Sequence, residues 1–161
     1  MRVGMAAALA AGCTGAQLRP EPFDCPSGAE RAMREELGWK GSVKFIVTVD
    51  DRYDEDADPW FSPGDVVSVV PKSLRKEQQL LAPPGTRFYG RLYVVPEKQP
   101  DGEPGMIIVK YDRVDFEGGR EFPICFMVGA DGEFPALELK DGKAKSSSGN
   151  AVSGYVTHRW P

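Results

Sequence analysis

The chain has 161 residues, 41% of them hydrophobic and 27% charged, which suits one folded domain with a core of its own. Its formal net charge of −4 argues against a nucleic-acid partner, because there is no basic excess to neutralise phosphates. A single histidine leaves little for a multi-histidine metal site, and the odd number of cysteines, three, requires an explanation.

The N-terminus has the order of a secretory signal. Arg2 precedes a short apolar stretch, which runs into Leu9-Ala10-Ala11-Gly12-Cys13. The stretch is too short for a membrane-spanning helix, which needs about 20 apolar residues. Its ending resembles a bacterial lipobox, whose cysteine is acylated and becomes the new N-terminus. The resemblance implies a signal peptide over residues 1–12 and a lipid anchor at Cys13; the alternative is an alanine-rich N-terminus with an unmodified cysteine.

The residues after Cys13 bear on where such an anchor would lie. Residue 14 is Thr and not Asp, and by the same resemblance this favours sorting to the outer membrane. Residues 13–22 are polar and proline-containing and are interpreted as a tether. We therefore expect a lipoprotein of the bacterial outer membrane that faces the periplasm or the cell surface.

Two cysteines remain once Cys13 is assigned to the anchor. Cys25 and Cys125 would both be exported to an oxidising compartment, where an even pair is typical of a disulfide. Two buried free thiols are the alternative. A catalytic cysteine is disfavoured, because the chain has only one histidine and export would oxidise the thiol.

One helix is predicted directly after Cys25. Ser27-Gly28-Ala29-Glu30 fits a capping box with Ser27 as the N-cap. Gly38 is predicted to end the helix, and Trp39 to pack back on its last turn. Apolar residues recur at helical spacing at Ala29, Ala32, Met33 and Leu37.

The remainder of the chain has the two-residue period of β-strands. Strands are predicted over 43–49, 66–70, 86–95, 106–114, 121–128 and 136–139, with a loop over 96–105 and a turn at 117–119. We expect a mainly β fold with one N-terminal helix, a small antiparallel barrel or sandwich, as a single domain over residues 23–139. Residues 140–161 are predicted to hold a mobile polar stretch, 140–150, and a segment, 155–160, that could add an edge strand.

An acidic segment over residues 50–58 is the one pattern that suggests a metal. Asp54, Asp56 and Asp58 have the alternate spacing of calcium-loop ligands, and Asp65 falls where the last ligand would be. Pro59 replaces the glycine that the sharp turn of such a loop needs. A solvated acidic loop is therefore preferred, and no metal or other cofactor is assigned.

Catalytic motifs are not found in the sequence. Asp115-Phe116-Glu117-Gly118 has only a superficial likeness to a kinase metal-binding motif, and the other kinase motifs and a Gly-x-Ser-x-Gly elbow are missing. His158, near the C-terminus, is interpreted as a surface histidine. We assign no catalytic residue and expect a protein that is not an enzyme.

Aromatic and cationic residues interleave along the predicted strands. Such a ladder could grip an extended ligand, although in an antiparallel sheet these pairs also stabilise neighbouring strands. The candidate binding residues are Arg87, Tyr89, Arg91, Tyr93, Tyr111 and Arg113.

A first resemblance runs through most of the chain after the signal. Its residues are the lipobox cysteine, Arg19-Pro20-Glu21-Pro22, Cys25-Pro26, Gly28-Ala29, Met33, Gly85-Thr86-Arg87, Gly90-Arg91-Leu92 and Phe122-Pro123-Ile124-Cys125. Together they resemble a group of small myxobacterial secreted lipoproteins of unknown function. The resemblance implies a Cys25–Cys125 pairing and an envelope location, and it assigns no catalytic residue.

A second resemblance covers less than a third of the chain. Residues 84–91, 108–114 and 119–120 are similar to the beta-barrel domain of TrbI-like conjugation scaffold proteins. This similarity implies a small curled sheet.

Three functional hypotheses follow. The first is a non-catalytic envelope lipoprotein that binds a protein or a glycan through exposed strand faces. The second, from the TrbI-like segment, is a structural subunit of an envelope-spanning secretion-type assembly. The third is a secreted enzyme of an unrecognised class.

Overall fold

The computed structural model describes residues 25–39, 44–49, 60–71, 82–95, 105–129, 136–146 and 150–156. These residues form a mainly β fold with one short helix, as predicted. The predicted anchor Cys13, the acidic residues Asp54, Asp56 and Asp58, and His158 lie outside the described residues.

The helix begins one residue later than predicted. α1 (Ala29–Arg31) continues directly into a π turn (Ala32–Glu36). The capping-box prediction with Ser27 is wrong, because the N-cap is Gly28 in the left-handed region, at φ 81°. Glycine adopts this conformation without a steric penalty, and the turn before it already satisfies the Ala29 N–H, which donates to Pro26 O at 3.0 Å.

The end and the buried face of the helix follow the prediction. Gly38 has φ 68°, and beyond it the Trp39 N–H donates to Met33 O at 2.6 Å. Ala29, Met33 and Trp39 are fully buried. The helix therefore packs by the apolar stripe visible in its sequence.

Within the part of the chain that the structure describes, nine strands form two antiparallel sheets. In chain order the strands are β1 (Lys44–Thr48), β2 (Trp60–Phe61), β3 (Gly64–Val69), β4 (Arg87–Val95), β5 (Met106–Phe116), β6 (Arg120–Val128), β7 (Ala136–Lys140), β8 (Lys143–Ser146) and β9 (Ala151–Val156). The six-stranded sheet has the order β1-β9-β6-β5-β4-β3, and the three-stranded sheet has the order β2-β8-β7.

Two expectations about the C-terminal part of the chain are corrected. The stretch predicted to be mobile, 140–150, contains β8, which pairs with both β7 and β2. Of the segment predicted as an edge strand, 155–160, the structure describes residues 155 and 156, which end β9 between β1 and β6 in the large sheet. β8 follows β7 across the Asp141-Gly142 turn and also pairs with β2. β9 is ordered by hydrogen bonding to strands that are distant in sequence, which its local composition does not show.

The six-stranded sheet curls without closing into a barrel. Its outermost strands, β1 and β3, meet through side chains: the Val69 N–H donates to Thr48 Oγ1 at 3.1 Å, and this hydroxyl contacts Val69 O at 3.4 Å. Within the described residues no ladder joins the two strands. Of the predicted barrel and sandwich, the closed barrel is therefore not realised.

The concave side of this sheet holds an aromatic core. The Trp39 ring lies 4.7 Å from Phe45 and 6.0 Å from Phe88, centroid to centroid. Phe126 packs 5.2 Å from Phe88. Residues of the small sheet, including Phe61, join the same buried cluster. Both sheets and the helix thus share one core.

A disulfide holds the helix against β6. Cys25 and Cys125 are bonded, with Cα atoms 5.4 Å apart and 100 residues between them in sequence. Beside the bond, the Cys125 N–H contacts Met33 Sδ at 3.3 Å. The predicted pairing is confirmed.

Candidate outer-face groove

Strand alternation gives β4 two different faces. Phe88, Leu92 and Val94 are buried on the concave side of the sheet. Tyr89 and Tyr93 are half-buried and Arg91 is exposed on the opposite, convex side. Because successive side chains of a strand point to opposite faces, the alternation in the sequence predicted this division correctly.

The convex side carries a groove of about 620 Å³ across β3, β4 and β5. We call it the outer-face groove. Besides Gly90 and the valines at positions 66 and 67, it is lined by two tyrosines, three cations and two carboxylates: Tyr89, Tyr93, Arg91, Lys110, Arg113, Asp65 and Asp112.

An irregularity in β5 brings Asp112 and Arg113 to this face. The ladder pairs Gly90 with Tyr111 and Tyr89 with Arg113, so Asp112 is an extra residue on β5. Such a bulge shifts the phase of a strand. As a result Asp112 and Arg113 are both exposed although they are neighbours in sequence.

Gly90 allows the two strands to approach closely at the bulge. A Cβ at this position would overlap the Lys110 carbonyl oxygen and lie 2.7 Å from Tyr111 Cα. The backbone of β5 therefore occupies the space that any other residue at position 90 would fill.

Arg113 links the groove to β6. Its Cζ lies 4.0 Å from the centroid of the Tyr89 ring, within the range of a cation–π interaction. The same guanidinium forms an ion pair with Glu121 at 3.4 Å. A smaller depression of about 330 Å³ continues from Arg113 toward Phe122 and Pro123.

Lys110 forms the floor of the groove. It lies opposite Arg91 in the ladder and is only 2% exposed. Burial lowers the pKa of the Lys110 ammonium. Partial burial raises the pKa of the nearby Asp112 carboxyl, with Arg113 opposing the rise and Asp65 adding to it.

Tyr111 is not part of the groove, and its prediction as a surface binding residue is wrong. It is fully buried on the concave side, where its hydroxyl is 2.7 Å from Ser68 Oγ. Burial raises the pKa of Tyr111 above its ordinary value, and the Ser68 hydrogen bond opposes the rise. The phase of β5 before the bulge places Lys110, and not Tyr111, on the convex side.

The other predicted binding residues divide into two groups. Tyr89, Arg91, Tyr93 and Arg113 come together in the groove. Arg87 is exposed further along β4, opposite Asp115, and is not one of the groove residues.

Three groove residues were not among the candidate binding residues. Lys110 belongs to the interleaved cations of the predicted ladder, Asp65 was considered only as a possible end of a calcium loop, and Asp112 was not considered. Asp65 is exposed and lies opposite Arg91. The strand pattern could have placed Lys110 on the face of Arg91, whereas the bulge that turns Asp112 outward has no signal in the sequence.

The described residues also bear on metal binding and on membrane spanning. Among the described residues, no three histidine, cysteine, aspartate or glutamate side chains are grouped as ligands for a metal ion. None of the helical segments described is long and apolar enough to cross a bilayer.

Comparison with protein-family models, with curated proteins and with solved structures finds no match for this chain.

Proposed function

We propose that this chain is a non-catalytic binding module of the bacterial envelope, held to the outer membrane through Cys13, which uses the outer-face groove to bind a protein or a glycan. The observation that supports the proposal best is the groove itself. Half-buried tyrosines and charged side chains line a depression of about 620 Å³ on one face of a disulfide-stapled β fold.

The composition of the groove is that of a recognition surface. Tyrosine and arginine are the residues most enriched among those that dominate binding energies at interfaces. Arg113 stacks on Tyr89 and is paired with Glu121, so this part of the surface is ordered before a partner arrives. Ordering in advance reduces the entropy lost on binding.

Photo-crosslinking in cells tests the groove. A photoreactive phenylalanine analogue replaces Tyr93 in the full chain, and a second variant carries it at Trp60, an aromatic residue of the small sheet that is 37% exposed. We expect a discrete adduct with an envelope component from position 93 and none from position 60. The absence of an adduct at position 93, or the same adducts at both positions, would contradict the proposal.

Mass spectrometry of the membrane fraction separately tests the proposed lipid anchor and membrane location. We expect the mature chain to begin at an acylated Cys13. A chain that retains Met1 and an unmodified cysteine would show that the lipoprotein assignment is wrong, whatever the groove binds.

A further inference from the structure

Side chains, and not strand edges, form the centre of the outer-face groove. β4 lies between β3 and β5, and β5 lies between β4 and β6, so neither strand has a free edge. β3 is the outermost strand and adds Asp65 to the groove. A peptide that binds by adding a strand needs an unpaired edge, so recognition by β4 and β5 proceeds through the side chains of the sheet face.

Hydrogen-bond donors and acceptors lie side by side on this face. The register places Asp65, Arg91 and Lys110 in one row across the three strands. Asp112 and Arg113 follow beside it. The groove thus combines three cationic donors with two carboxylate acceptors.

This mixture favours a ligand rich in hydroxyl groups. A hydroxyl both donates and accepts, so it can pair with arginine and with aspartate. The three cations are nearly balanced by Asp65, Asp112 and the Glu121 that pairs with Arg113, so the groove has little net charge with which to select either a phosphate group or a metal cation.

The two tyrosines indicate the extent of the ligand. Tyr89 and Tyr93 lie on the same face of β4, four residues apart, which corresponds to about 13 Å along a strand. Aromatic rings present a negatively polarised face, on which the C–H groups of a sugar ring can pack. One sugar ring could not contact both tyrosines, so the spacing calls for a chain of several.

We propose that the outer-face groove binds an extended oligosaccharide. One of its rings packs against Tyr93, another packs against Tyr89 together with the Arg113 guanidinium that lies over it, and its hydroxyls pair with Arg91, Asp65 and Asp112. This inference rests on the proposed binding function and names the class of ligand for the same groove.

Titration of the purified full chain with defined glycans tests this inference. The probes are the hexasaccharides of β-1,4-linked glucose and of β-1,4-linked N-acetylglucosamine, together with soluble peptidoglycan strands, measured by isothermal calorimetry. We expect saturable binding of at least one probe, and about tenfold weaker binding by Tyr93→Ala, the effect of one lost ring contact. Asp65→Asn should weaken the same interaction.

The matched controls separate the groove from general effects. Trp60→Ala removes an exposed aromatic residue of the small sheet and should leave the affinity unchanged. The thermal unfolding midpoint of each variant shows whether it is folded, and Asp65→Asn, at an exposed position, keeps the test valid if Tyr93→Ala destabilises the chain.

Two results would overturn the inference. One is binding that is equally strong in wild type, Tyr93→Ala and Asp65→Asn. The other is no binding of any of the three probes. In that second case an adduct with a protein from the crosslinker at position 93 would leave the binding module intact and reject only the glycan, whereas no adduct would reject both.

Discussion

The two faces of the β4–β5 pair carry similar residue types in opposite environments, one buried in the core and one lining the groove. Phe88 and Tyr89 are neighbours, yet Phe88 is fully buried among four other aromatic rings and Tyr89 forms a wall of the groove. Tyr111 and Lys110 are also neighbours, and the tyrosine lies in the core while the lysine lies under the groove. The comparison teaches that the phase of a residue in its strand decides its role here, more than its type.

The two faces should also differ in what they contribute to stability. The concave face removes large apolar side chains from water, which is the main stabilising contribution to folding. The convex face carries exposed charges, whose pairs contribute little in water. Substitutions on the concave face should therefore unfold the protein, and substitutions on the convex face should leave it folded.

The largest difference is expected between Phe88→Ala and Tyr89→Ala. Loss of the buried ring should lower the free energy of unfolding by about 3–5 kcal/mol, whereas loss of the half-buried ring and its Arg113 contact should cost about 1 kcal/mol. Urea denaturation followed by tryptophan fluorescence measures both. Similar losses of unfolding free energy at the two positions would show that the two faces contribute equally to stability.

The second-largest effect on stability is expected for the disulfide, because it holds the helix that covers part of the concave side. Replacing both Cys25 and Cys125 with serine should lower the free energy of unfolding by about 2–5 kcal/mol, since a long loop of the unfolded chain is no longer closed. The near-ultraviolet circular dichroism of the folded variant should remain native-like. An unchanged urea midpoint would show that helix and sheet are held by packing alone.

Gly90→Ala should cost about 2–3 kcal/mol, because the added Cβ overlaps the β5 backbone and the strands have to separate. Gly118→Ala is the control: Gly118, unlike Gly90, has a turn conformation that favours glycine, at φ 106°, and there is open space around it. It should cost about 1 kcal/mol from backbone strain alone. If the two variants have the same thermal midpoint, close approach of the strands is not what requires glycine at position 90.

Among the substitutions of buried residues, the smallest expected effect is that of Tyr111→Phe, which should lower the free energy of unfolding by about 1–2 kcal/mol at neutral pH, since Ser68 loses its partner. The pH dependence of this effect is a more specific test of the buried Tyr111 hydroxyl. Burial raises the pKa of Tyr111 in the folded state above the unfolded value of 10.0, so the stabilisation is complete below pH 10 and is lost as the pH rises beyond it.

Phenylalanine has no such proton, so the difference in the free energy of unfolding between wild type and Tyr111→Phe should become smaller above pH 10. Lys110 and the other tyrosines are present in both proteins, and their titration cancels in the comparison. Urea titrations at pH 7, 9 and 10.5 measure this. A difference that stays constant across the three would contradict the placement of the Tyr111 hydroxyl in the core.

Prediction from the sequence was most successful where a pattern is local. The alternation over residues 86–95 correctly divided Phe88 and Leu92 from Tyr89 and Arg91. The binding assignment of Tyr111 was wrong although the pattern of Ile107 and Val109 places this residue on the buried face. The N-cap assignment of Ser27 was wrong because a left-handed Gly28 precedes the helix. The second error, and the missed Asp112, come from single-residue changes of backbone conformation, which side-chain periodicity does not report.

The sequence by itself determined the fold class, the faces of β4, the end of the helix at Gly38 and the pairing of Cys25 with Cys125. Each of these depends on neighbouring residues or on a count of thiols. Only the tertiary structure decided that β9 enters the large sheet between β1 and β6, that β8 pairs with β2, and that Asp65, Lys110 and Asp112 meet Tyr93 in one groove. These features depend on pairing between distant strands and on a bulge, where the energy comes from contacts that no local stretch of sequence contains.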